Sequence, residues 1–281
     1  MNRLSHLSQD ITSYDLLKSF AVILMLVDHI GYYFFDGEQE WRLLGRLCVP
    51  VWFFLIGYAR SRDIGVKMWV GMAVLMLASG VTGSGFLPLN ILGTMLVIRL
   101  TLDAIMARVV PSLTQPGEHA LWQMGVFLVL LSFPSAYLFE YGTLAIVMAM
   151  FGWLVRHQHE YPQGGRMTQY FFFFAYGVFV VVQTVFFGFK DNEILLLAAG
   201  ILAVMTGLMF FRPLSFAGTG QGLRGWLLAP VRFMGRWTLE IYVVHLLAFK
   251  ALGALYFPER FPLFNWQLFP RAMVEMGTAG G

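Results

Sequence analysis

The chain has 281 residues, 58% of them hydrophobic and only 12% charged, with a mean hydropathy of +0.68. A soluble domain carries about 25% charged residues, so this composition excludes an ordinary water-soluble fold and points to an integral membrane protein. The single cysteine, Cys48, excludes a disulfide framework or a cysteine-based metal site, and the net charge of +3 gives no reason to expect nucleic-acid binding.

Long apolar runs separated by short polar loops predict helices rather than the alternating strands of a β-barrel. Nine spans are expected, at 14–35, 43–60, 66–83, 87–107, 120–138, 140–156, 168–189, 193–211 and 231–256. The short second and sixth runs, and the tight break at Gly83–Leu87, leave eight or ten as alternatives. The expected fold is therefore an all-α, polytopic transmembrane helix bundle. Residues 1–256 would form one domain. Residues 257–281, with Pro258, Pro262, Pro270 and a terminal GTAGG, would form an interfacial or disordered tail. The polar first 13 residues and the charges retained in the first run argue against a cleaved signal peptide.

The first span carries Lys18, Asp28 and His29 inside its apolar run. Intramembrane charge costs a few kcal/mol even on lenient scales, so such groups usually face the bundle interior and act there. Lys18 and His29 are eleven residues apart, hence about 20° apart around a helix and about 16 Å along it. Asp28 points about 100° away from His29 and calls for a partner on another span. A neutral imidazole suits proton transfer to or from an amine or hydroxyl. The structural alternative is polar helix–helix packing.

Arg42 and Arg46 stand at i and i+4 at the head of the second span. Their forks can hold a carboxylate, a phosphate or a developing oxyanion, and snorkelling to the interface is the plain alternative. In the fourth span, Arg99 and Asp103 have the spacing of a self-satisfied ion pair, with contact from Arg99 to an anionic cofactor arm as the sharper reading. The segment GQGLRG, Gly220–Gly225, matches G-x-G-x-x-G but has no preceding strand, so it is read as a loop. In the last span, Arg236 and Glu240 are an i,i+4 pair, while Thr238, Tyr242 and His245 share another face. His245 lies nine residues past Arg236, which puts it within about 5 Å of the depth of His29.

The basic residues orient the chain. With nine spans, one side carries Arg3, Arg60, Arg62, Lys67, Arg108, Arg156, Arg166, Arg212, Arg224, Arg232 and Arg236; the other carries Arg42, Arg46, Lys190, Arg260 and Arg271. Eleven against five predicts a cytoplasmic N-terminus and an external C-terminus.

The stretch DLLKSFAVILMLVDHIG, followed by WRLLGRLCVPVWFFLIGYA, resembles the TraX family through Asp15, Lys18, Met25, Asp28, His29, Gly31, Arg42, Gly45, Arg46 and Pro50. TraX proteins are inner-membrane acetyltransferases associated with conjugative pili, and the founding member acetylates the pilin amino terminus. LEIYVVHLLAFK looks like the last motif of the wider membrane-acyltransferase group. The resemblance implies a multi-pass protein of the bacterial inner membrane, surrounded by lipid, with acetyl-CoA as donor; no metal is expected, because no H-x-x-x-H or H-E-x-x-H spacing occurs. The implied acceptor is a pilin-like peptide or an envelope glycan.

On that resemblance His29 would be the general base or transient acetyl carrier. Asp28 would tune it, and Arg46 would steady the oxyanion. Lys18, Arg236 and Arg99 would meet the anionic arm of the donor, and Arg42, Glu240, Tyr242 and His245 would orient the acceptor. A proton-coupled transporter is the competing class, because it too uses intramembrane Lys, Asp and His.

Overall fold

A computed structural model describes residues 10–35, 38–115, 117, 119–219 and 221–270. Arg3 and Arg271 of the charge count, Gly220 of the glycine-rich segment and the 271–281 end of the tail lie outside the described residues. Within them the protein consists of twelve helices and two strands of two residues each.

Thr12 caps the first helix, α1 (Ser13–Phe34). Its hydroxyl accepts from the Asp15 amide at 3.2 Å, and the Asp15 carboxylate accepts from the Thr12 amide at 2.9 Å. This reciprocal box satisfies amides that the first turn leaves unpaired. Just before it, β1 (Ile11–Thr12) pairs antiparallel with β2 (Ser215–Phe216), and the Ser13 amide donates to Leu214 O at 2.9 Å. The N-terminal end of α1 is thereby tied to the Gly- and Arg-rich loop that the sequence shows only as a connection.

The remaining helices are α2 (Gln39–Arg46), α3 (Val49–Tyr58), α4 (Val66–Val81), α5 (Ile91–Thr114), α6 (Ala120–Ser135), α7 (Leu144–His157), α8 (Gly164–Phe187), α9 (Asp191–Met209), α10 (Gly222–Leu227), α11 (Ala229–Arg236) and α12 (Thr238–Tyr256). Each expected span coincides with one helix or with a consecutive pair, α2–α3 and α11–α12. Five segments are long and apolar enough to cross a membrane: Ser13–Phe34, Gln39–Tyr58, Gly164–Phe187, Asp191–Met209 and Thr238–Tyr256. Three others, α4, α6 and α7, are apolar but shorter, and α5 is interrupted by Arg99, Asp103 and Arg108.

Helix α7 forms the centre of the molecule. Every residue from Leu144 to Val155 is buried, as an all-round apolar helix requires. It packs most extensively on α3, where a Cβ at Gly57 would strike the Ala149 carbonyl and one at Gly152 would strike the Phe54 carbonyl. Small residues of this kind let membrane helices approach backbone to backbone. The outward faces are apolar as well, with Phe173, Leu195, Leu196 and Val244 exposed on α8, α9 and α12.

Residues 257–270 of the tail pack against the bundle. Phe261 is buried beside Gly253 and stacks on Tyr33, Phe264 N donates to Val81 O, and Leu87 N donates to Leu268 O. Residues 257–270 therefore fold back over the α4–α5 connection, which the proline content of the tail does not reveal.

Candidate functional site

Asp28 sits between the two arginines of α2. Arg46 Nη2 donates to Asp28 Oδ1 and Oδ2 at 2.7 and 2.6 Å, and Arg42 Nη1 lies 3.1 Å from Oδ2. The partner that Asp28 calls for on another helix is thus this pair. Gly45 makes the approach possible, because a Cβ there would collide with the Asp28 side chain. Arg46 Nη1 also donates to the Tyr141 hydroxyl at 2.7 Å, and its guanidinium lies 4.5 Å from the Phe187 ring centre. One carboxylate faces two guanidinium groups, so the cluster keeps a positive charge. Its geometry is fixed by one Arg46 nitrogen shared between both carboxylate oxygens and by the aromatic ring against the guanidinium.

His29 and His245 meet across α1 and α12, with His29 Nδ1 and His245 Nε2 2.7 Å apart. His245 Nδ1 lies 2.6 Å from the Ile241 carbonyl. That contact fixes the tautomers. A carbonyl oxygen only accepts, so His245 carries its proton on Nδ1 and leaves a lone pair on Nε2. His29 must then donate from Nδ1, which leaves the lone pair of His29 on Nε2. His29 Nε2 has no hydrogen-bond partner among the described residues, and is the nitrogen able to act as base or nucleophile.

Two cavities reach this imidazole. One, of about 440 Å³, is lined by Arg42, Arg46, Gln183, Lys250 and residues of the folded-back tail's neighbourhood. The other, of about 390 Å³, is lined by Lys18, Met25, Cys48, Trp52 and Arg99. Asp28, His29, Glu140, Tyr141 and Tyr242 line both, so the wall between the cavities is one residue layer. The Arg46 cavity lies toward the C-terminal end of α1 and the Lys18 cavity toward its N-terminal end.

Most of the expected residues gather here. Lys18 and His29 border one cavity, and Tyr242 stands beside His29 with ring centres 6.1 Å apart. Arg99 borders the Lys18 cavity, donates from Nη1 to Asp63 O at 3.1 Å, and keeps a buried Nε without a partner. Its expected mate, Asp103, pairs instead with Arg62 at 3.1 Å. Burial lowers the basicity of Arg62, and Asp103 opposes that shift.

Three expectations are corrected. Arg236 lines neither cavity; it lies 3.7 Å from Asp15 and donates to Asp10 O at 3.0 Å. Glu240 also lines neither, and pairs with Lys67 at 2.6 Å near the surface. The two cannot pair with each other because the helix breaks between them at Trp237. His245 stands behind His29 rather than in a cavity, so it can orient the first imidazole but not an acceptor.

Glu140, Tyr141 and Lys250 were not among the expected residues. Lys250 carried a legible signal, a lone charge inside the last apolar run. Glu140 and Tyr141 open the sixth expected span, 140–156, and the turn that precedes α7 is not visible in the sequence.

A family model described as TraX protein matches residues 13–253, a stretch that contains both cavities' charged residues. An uncharacterized protein of Rickettsia prowazekii (strain Madrid E) is 28% identical over 153 residues, covering 54% of this chain and 60% of that protein's own length. No solved structure matches the chain.

Proposed function

The chain belongs to the TraX family, and on that premise we propose that it is an integral membrane acetyltransferase with His29 at its reacting centre. Acetyl-CoA enters the Lys18 cavity from the cytoplasm, and an amine or hydroxyl acceptor enters the Arg46 cavity from the opposite side. The chain crosses the bacterial inner membrane nine times with its N-terminus inside, the orientation that the loop charges favour. One observation carries this reading: the imidazole of His29 lines both cavities. A single nitrogen can therefore meet a donor from one end and an acceptor from the other.

Lys18 and Arg99 suit the anionic arm of the donor, and the partnerless Nε of Arg99 is a buried donor awaiting an acceptor atom. His29 Nε2 attacks the thioester carbonyl, the C–S bond breaks, and the CoA thiolate leaves. The acetyl-imidazolium keeps its proton on Nδ1, shared with His245. The acceptor then takes the acetyl group and neutral imidazole departs. Fixed guanidinium dipoles of Arg46 and Arg42 stabilise the oxyanion of that second step. The acceptor is a pilin-like peptide or an envelope glycan.

The test is release of free CoA thiol by purified protein given acetyl-CoA, together with the intact mass of the protein. His29→Ala should abolish both thiol release and acetylation of the protein, and full activity in that variant would sink the central claim. Two cavities meeting at a titratable group also suit a proton-coupled carrier. Substrate flux into vesicles without acetyl-CoA would favour that class.

A further inference from the structure

Glu140 is placed with more structure than a connecting turn needs. Its amide donates to Leu89 O at 3.0 Å, and the Thr94 hydroxyl donates to Glu140 O at 2.8 Å. The next two residues, Tyr141 and Gly142, have φ of 66° and 51°. A tyrosine in that region is strained, and such strain is held where a site needs a fixed geometry. The turn places Glu140 in the lining of both cavities. That carboxylate has no hydrogen-bond or ion-pair partner among the described residues, although Asp28 beside it is held by two arginines.

The acyl-transfer reading leaves a proton unassigned. While Nε2 of His29 carries the acetyl group it cannot accept a proton, and Nδ1 is engaged with His245. The acceptor must still lose a proton as it attacks. Asp28 is neutralised, the Tyr141 hydroxyl already accepts from Arg46, and Arg42, Arg46 and Lys250 are cations. Glu140 is the carboxylate that remains.

Resting on the acetyltransferase reading, we propose that Glu140 is the catalytic base of the acceptor half-reaction. As the acceptor oxygen or nitrogen bonds to the acetyl carbon, the bond from that carbon to His29 Nε2 breaks. The acceptor proton passes to the Glu140 carboxylate, and His29 leaves as neutral imidazole. The carboxylic acid then returns its proton to water in the Arg46 cavity, and the CoA thiolate takes one from water in the other.

Water is the simplest acceptor, so the test is acetyl-CoA hydrolysis by the full-length purified protein, with hydroxylamine as a nucleophile that needs no base. Glu140→Gln should release one thiol per protein in a burst and hold the acetyl group on His29. Steady turnover should fall by about 100-fold or more, and hydroxylamine should restore it. Glu140→Asp should recover part of the turnover without hydroxylamine. Turnover of Glu140→Gln within about threefold of wild type overturns the proposal. So does loss of the burst in Glu140→Gln while Glu140→Asp turns over, because the carboxylate would then serve the donor half. A wild-type protein that neither releases thiol nor becomes acetylated overturns the acetyltransferase reading itself, and with it this one.

Discussion

The two cavities share a wall but differ in how their charges are held. In the Arg46 cavity, Asp28 is gripped by two arginines, Arg46 is tied to Tyr141, and Phe187 lies against both guanidinium groups. In the Lys18 cavity, Lys18 has no ion pair among the described residues, and Arg99 reaches only a backbone carbonyl. Locked charge suits a centre where geometry must hold through a reaction. Loose charge suits capture of an anion that arrives and leaves with each turnover. The contrast predicts that substitutions on the Arg46 side damage fold and rate together, whereas those on the Lys18 side weaken binding alone.

The largest effect should come from Asp28→Asn. It strips the shared counter-charge from two largely buried guanidinium groups, and breaking a buried pair costs about 3–5 kcal/mol. Thermal unfolding of the purified protein should show a large drop in midpoint, with activity lost as well. A midpoint unchanged from wild type would mean that the arginines find other partners and that the Arg46 side is not locked.

His245→Gln tests the tautomer chain. Gln can still contact His29 but cannot relay the preference set by the Ile241 carbonyl, so His29 loses its fixed protonation. Partners that orient an imidazole in this way typically contribute 10–100-fold. The rate should fall by that amount with little change in KM for acetyl-CoA. An equal rise in KM would place His245 in donor binding instead.

Much of this arrangement is legible in the sequence as positions rather than as contacts. The charges of α1, the i,i+4 arginines of α2 and the matched depth of the two histidines follow from helical spacing. That Asp28 falls between Arg42 and Arg46 does not, because it depends on the turn joining two helices and on Gly45 admitting a close approach. Local spacing misled where the chain breaks: Arg236 ends α11 and Glu240 begins α12, so an i,i+4 rule written for one helix fails. It misled again at Asp103, where Arg62 from a neighbouring loop outcompetes Arg99. Glu140 was hidden because the run 140–156 reads as one continuous span, while the helix begins only at Leu144.

The pH response tests the shared wall. Only the ionised Glu140 carboxylate accepts a proton, so turnover should rise with pH as that group ionises, and Glu140→Gln should remove the rise. The charged groups that face it are Asp28, Arg42, Arg46 and Lys250, with His29 and Tyr242 beside them. A pH profile of turnover that Glu140→Gln leaves unchanged would contradict the assignment.

The smallest effect should come from Lys18→Gln, and it defines the loose side. Removing one flexible cation from the phosphates of the donor costs about 1 kcal/mol, roughly fivefold in KM for acetyl-CoA. Both kcat and the unfolding midpoint should stay near wild type, and the KM difference should shrink in high salt because the contact is electrostatic. Glu240→Gln is the internal comparison: it breaks only the half-exposed pair with Lys67 and should alter neither KM nor kcat. If Lys18→Gln instead lowers the midpoint as Asp28→Asn does, the Lys18 side is locked too. The two cavities would then differ in ligand but not in rigidity.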